Sequence, residues 1–173
     1  MRWIMTGPGI HQHVVRNRKK SRIPLAKLRA SDAAKTVVDH PRRLEELLRM
    51  LEDKDRSVRG RAAVALAQLS ESHPARLLRV VARLRELMAD ESAFVRWNLL
   101  FALGKLGSRY PMKSRCFLAD LIARLDDDNR ICRVLAMRAL SQVAASGPNL
   151  IEECFNSLKK EIPSPVSQIL RRP

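Results

Sequence analysis

The feature that most restricts how this chain can fold is a recurrence. From Asp53 it reads DKDRSVRGRAAVALAQLS, from Asp90 DESAFVRWNLLFALGKLG and from Asp127 DDNRICRVLAMRALSQVA, three stretches thirty-seven residues apart with no gap between copies. Asp53, Asp90 and Asp127 align, as do Val58, Val95 and Cys132, then Arg59, Arg96 and Arg133, then Leu66, Leu103 and Leu140. Pro74, Pro111 and Pro148 keep the same spacing independently. A fixed period of this length marks a supersecondary unit that cannot bury its apolar face alone and stacks on copies of itself.

Within each unit the apolar period is helical. Leu44, Leu47, Leu48 and Leu51 mark a first helix, matched by Val81, Leu84 and Met88, by Leu118, Leu121, Ile122 and Leu125, and by Leu158 and Ile162. The acidic turn is followed by a second helix, with Val58, Ala62, Ala63, Leu66 and Leu69 inward in one copy and Val95, Leu99 and Leu103 in the next. The prolines open the first helices, where a missing N–H costs nothing, and Pro41 sits one turn later than the register predicts. Aromatics are only 4% of the chain while Leu, Ala and Arg abound, which favours helix over sheet. With 46% apolar residues the chain can bury a real core. The expectation is all-α: an α-solenoid of about three and a half helical hairpins over residues 25–162, preceded by a basic arm, 1–24, and followed by a tail, 163–173. Residues 25–38 are read as a helix, the remnant of a degenerate starting unit.

These residues resemble HEAT repeats, of the compact kind common in bacterial proteins. The likeness is carried by the D-x-D-x-x-V-R pattern of Asp53, Asp55, Val58 and Arg59, by the partial copies Asp90, Val95, Arg96 and Asp127, Cys132, Arg133, and by A-L-G-x-L-G at residues 102–107. It covers about residues 41–162, in units shorter than the usual HEAT length of about 40 to 47. The resemblance implies that the second helices line the concave side of a solenoid, a side that commonly binds proteins and sometimes nucleic acid. It also implies an acid–arginine ladder in which each arginine hydrogen-bonds acidic side chains of its own and the adjacent turn. Asp53, Arg59, Asp90, Arg96, Asp127 and Arg133 are then structural, setting repeat stacking, rather than catalytic. Asp55, Ser92 and Asn129 share a position from which a side-chain oxygen can cap the second helix.

In the middle repeat Trp97, Phe101 and Lys105 are four apart and share one stripe, aligned with Gly60, Val64 and Gln68 before and Val134, Arg138 and Gln142 after. Two aromatics ringed by Arg61, Asn98, Lys105 and Arg138 match the core and rim of a partner-binding surface. Packing is an equal alternative, with Trp97 filling the space left by Gly60. The leading expectation is a non-enzymatic scaffold or adaptor that binds a protein or peptide on its concave face. The alternative is nucleic-acid binding. The chain carries a net charge of +15, of which +9 lies in residues 1–43, and Arg16, Arg18, Lys19, Lys20 and Arg22 would meet phosphate together with Arg61 and Arg138. Arginines also crowd the first helices (Arg76, Arg79, Arg83, Arg115, Arg124), so the charge is not confined to one groove.

No P-loop, G-x-G-x-x-G, nucleophile elbow or pair of catalytic carboxylates is present, and Asp126, Asp127 and Asp128 lie in a turn the repeat already explains. Related repeats occur in alkylpurine DNA glycosylases and bilin lyases, but neither site maps onto these residues. No enzymatic activity and no cofactor are expected. His11, His13, His40 and His73 and the three cysteines lack ligand spacing, so no metal is expected either. Cys116, Cys132 and Cys154 are read as reduced, mostly buried thiols of a cytoplasmic protein. Apolar runs are too short for a membrane span, and Gly7, Pro8 and Gly9 interrupt what a signal peptide needs to be continuous.

Overall fold

A computed structural model of the chain describes residues 23–161. Helices run in chain order as α1 (Ala30–Asp39), α2 (Leu44–Met50), α3 (Arg56–Ser72), α4 (Val81–Glu86), α5 (Ala93–Arg109), α6 (Pro111–Ser114), α7 (Leu118–Ala123), α8 (Arg130–Ser146) and α9 (Pro148–Glu161). Short 3-10 turns occupy Leu25–Lys27, Pro41–Arg43, Pro74–Val80, Leu87–Ala89 and Arg124–Asp126, and there is no strand among the described residues. The chain divides into two compact units after Leu69.

In the first unit the inward stripes fall where the periodicity puts them. Leu44, Leu47, Leu48 and Leu51 are buried, as are Val58, Ala62, Ala63, Leu66 and Leu69 of α3. The helix expected over residues 25–38 is shorter: Leu28 and Arg29 are extended, and α1 starts only at Ala30. The extended step lets Leu25 reach the core, where it is fully buried and its N–H donates to Glu46 Oε1 at 2.8 Å. Arg43 clasps the same place, donating from Nε to Glu46 Oε2 at 2.8 Å and from Nη2 to the Ile23 carbonyl at 2.7 Å.

The second unit is built on α5 and α8, which lie side by side. Their contact is close because α5 carries glycine where they cross: a Cβ on Gly104 would stand 2.9 Å from Ala139 Cβ and 3.1 Å from its Cα, and one on Gly107 would collide with Val143. The glycines of residues 102–107 are therefore packing residues. Val95, Leu99, Leu103 and Leu106 of α5 share the core with Leu118 and Leu121 of α7 and with Ala136, Ala139 and Val143 of α8, all buried.

The first helices, which the apolar period draws as single rods, are broken. The breaks fall at Val80 and Phe117, thirty-seven apart, with φ/ψ of −115°/8° and −134°/6°, whereas Arg43, one period earlier, stays helical at −79°/−1° as a 3-10 turn passes into α2. Val80 and Phe117 thus stand in the sparsely populated bridge region between helix and strand. The break lets Phe117, a large and fully buried side chain, stand in the core at the head of α7. Pro41 and Pro74 accordingly open 3-10 turns, whereas Pro111 and Pro148 open α-helical segments.

Candidate partner-binding face

The repeated acid and arginine are engaged with the backbone and with each other. Arg59 Nη1 donates to the carbonyls of Asp53 (3.0 Å) and Lys54 (3.2 Å), Arg96 Nη1 to those of Asp90 (3.0 Å) and Glu91 (3.1 Å), and Arg133 Nη1 to those of Asp127 (2.7 Å) and Asp128 (3.2 Å). Toward its own turn each arginine thus meets main-chain oxygens, where acidic side chains were expected. The reason is reach: the short aspartate folds onto the N–H two residues on, Asp53 to Asp55 at 2.8 Å, Asp90 to Ser92 at 2.7 Å and Asp127 to Asn129 at 3.0 Å. Toward the following turn the bond is between side chains. Arg96 Nε and Nη2 grip Asp127 Oδ2 and Oδ1 at 2.9 and 2.7 Å, and Nη2 also meets Asp128. The side chains of Arg96 and Asp127 are 8% and 1% exposed. Burial pushes the Asp127 carboxyl up, but the Arg96 guanidinium and the Asn129 N–H outweigh it and hold the group well below the usual carboxylate range. Asp127 in turn raises the Arg96 guanidinium above its ordinary value.

Two of the three expected caps are formed. Asp55 Oδ1 accepts from Ser57 N–H at 2.7 Å, which lowers its carboxyl pKa, and Asn129 Oδ1 accepts from Ile131 and Cys132 at 2.9 and 3.3 Å. At Ser92 α5 begins without a side-chain cap. Cys132 and Cys154 are buried and half-buried, and burial pushes both thiols up; Cys116 is exposed, contrary to the expectation of mostly buried thiols.

The stripe of α5 away from the core forms a surface. Trp97, Phe101 and Lys105 are each half-buried, with Lys105 Nζ 5.3 Å from the centre of the Phe101 ring. Phe94, 39% exposed, meets Trp97 edge to face at 5.0 Å and 61°. In the same register on α8 stand Ile131 and Val134, 47% and 55% exposed, and the exposed Arg138. Asn98 is half-buried and spends its amide on its own helix, donating to the Phe94 carbonyl at 2.8 Å. Arg61 is exposed on α3, in the first unit. Arg16, Arg18, Lys19, Lys20 and Arg22 lie outside the described residues. At the far end of the stripe Lys105 borders an open cleft of about 780 Å³, whose other walls include His73, Arg76, Arg109 and Tyr110.

Phe94 and Ile131 were not among the sequence candidates. Their signal was present, because two large apolar residues stand thirty-seven apart where the first copy has Ser57. Among the described residues no three metal-ligating side chains converge, and no helix is long and apolar enough to cross a membrane.

HEAT repeats match residues 44–141, more than half of the chain. In fold the chain is similar to a designed armadillo repeat protein, YIII(Dq.V1)4CPAF, in complex with peptide (KR)4. The TM-score is 0.59 and the identity 19%, over 87% of this chain and 66% of that one. No curated protein matches the sequence. Hairpins in a thirty-seven-residue register, arginines tied to their own turns, a family match over residues 44–141 and an armadillo-type neighbour agree: the chain is an all-α solenoid and belongs to the HEAT repeat family.

Proposed function

We propose that the chain is a non-enzymatic scaffold that holds a protein or peptide segment against the outer stripes of α5 and α8, centred on Trp97 and Phe101, the concave side of a HEAT solenoid. The observation that carries this reading is the run of large apolar side chains left open there: Phe94, Ile131 and Val134 around two half-buried aromatic rings. Apolar side chains clustered in the open mark a surface that another molecule covers. Aromatic rings bring contact area at little cost in side-chain entropy, and a stacked repeat is already ordered before the partner arrives. Lys105 and Arg138 supply a charged rim. A repeat fold of this kind commonly mediates protein binding, and a peptide is what the designed armadillo neighbour holds.

Capture of the partner from the native host tests the reading. Trp97→Ala with Phe101→Ala is expected to abolish capture while leaving helical circular dichroism unchanged, since neither ring belongs to the buried core; undiminished capture overturns it. Nucleic acid is the other candidate, but Ile131 and Val134 neither stack bases nor neutralise phosphate. Binding to a single-stranded oligonucleotide at two salt concentrations separates the two, because phosphate contacts weaken steeply with salt.

A further inference from the structure

The register that relates α5 to α8 also shows what α8 lacks. The flank of α5 that receives α8 consists of Arg96, Leu100, Leu103, Gly104 and Gly107, all buried. Thirty-seven residues on, the same flank of α8 consists of Arg133, Met137, Leu140, Ser141 and Ala144, and each is open: Met137 is 61% exposed where Leu100 is 0%, Ser141 is exposed, and Arg133, Leu140 and Ala144 are half-buried. Arg133 Nη1 is pinned by the carbonyls of Asp127 and Asp128, just as Arg96 Nη1 is pinned by those of Asp90 and Glu91. Its other two donor atoms, Nε and Nη2, are those with which Arg96 grips Asp127 and Asp128, and among the described residues none accepts from them.

We infer that this flank of α8 is a second docking surface, distinct from the face of Trp97, and that it takes a helix preceded by a carboxylate-bearing turn. The chemistry of the occupant is read from the contact already made one repeat earlier. A carboxylate seats in the Arg133 fork as Asp127 seats in that of Arg96, which a planar guanidinium does in a bidentate way and an ammonium cannot. Twelve residues after that carboxylate the partner presents a small side chain, as Ala139 follows Asp127, so that its helix can approach closely. An apolar side chain covers Met137 and Leu140. Charge agrees with this, since α8 carries Arg130, Arg133 and Arg138 and no acidic residue.

The probe is a synthetic peptide of residues 126–146, which carries the acidic turn and α8 and is the element that fills the equivalent place beside α5. Titrated into the full chain under reducing conditions, it is expected to bind, and Arg133→Ala, Arg133→Lys and Met137→Asp are each expected to weaken it by about tenfold or more. The same loss is expected when the peptide carries Asp127→Asn. These side chains are half-buried or exposed, so the variants keep their fold, which circular dichroism checks. Absence of binding, or binding indifferent to Arg133 and Met137, overturns the inference. Trp97→Ala with Phe101→Ala separates the two surfaces: it is expected to leave the probe bound. Loss of the probe there, with Arg133→Ala silent, would instead assign the peptide to the first face.

Discussion

Helices α5 and α8 hold the same position in successive repeats and pin their arginines to their own turns in the same way, yet one flank is closed and the other open. Leu100 and Met137 differ little in size or hydrophobicity; what separates 0% from 61% exposure is whether another second helix lies against them. Burial in a repeat is thus conferred by the neighbour, and a residue's place in the register states which contact it is shaped for, whether or not that contact is made.

The comparison breaks most sharply at the arginines. Arg96→Ala leaves the buried Asp127 carboxylate without its partner and is expected to cost about 3 kcal/mol or more, whereas Arg133→Ala loses only bonds to carbonyls and costs about 1 kcal/mol. Urea unfolding measures both, and equal losses would refute the assigned difference. The acid limb sharpens it. Asp127 binds a proton less readily folded than unfolded, so the stability it contributes is complete above its ordinary value of 3.8 and is lost as pH falls through the depressed folded value. Arg96→Ala is expected to flatten that limb and Arg133→Ala to leave it. Next come the apolar partners: Leu100→Ala is expected to cost about 3 kcal/mol, and Met137→Ala less than about 0.5 kcal/mol. The smallest contrast is at the crossing. Gly104→Ala forces Ala139 to move and costs about 1 kcal/mol after the better helix propensity of alanine offsets part of the strain. Ser141→Ala, whose Oγ among the described residues bonds only the Met137 carbonyl of its own helix, is expected to be neutral or slightly stabilising.

Side chains that repeat were legible in the sequence, and so were their faces: Val95, Leu99 and Leu103 point inward, and α9 spans Pro148–Glu161 as its proline and period predict. Features without a shared side chain were not. The breaks recur at Val80 and Phe117, a β-branched residue and an aromatic, which share no side-chain chemistry that a sequence pattern could show. The bonds from each arginine to its own turn end on carbonyls, which every residue possesses. The candidate face was half legible. Trp97 and Phe101 announce themselves by size and spacing, but Phe94 and Ile131 sit where a helix start reads as a continuation of the core, and only their exposure distinguishes them.

A single guanidinium, that of Arg96, fastens two consecutive turns: its own through Asp90 and Glu91, the next through Asp127 and Asp128. When the hairpin that carries Asp127 and Asp128 opens, the one before it loses the charges that hold this side chain in place. Whatever fastens itself to the hairpin of α7 and α8 therefore steadies the one before it without touching it.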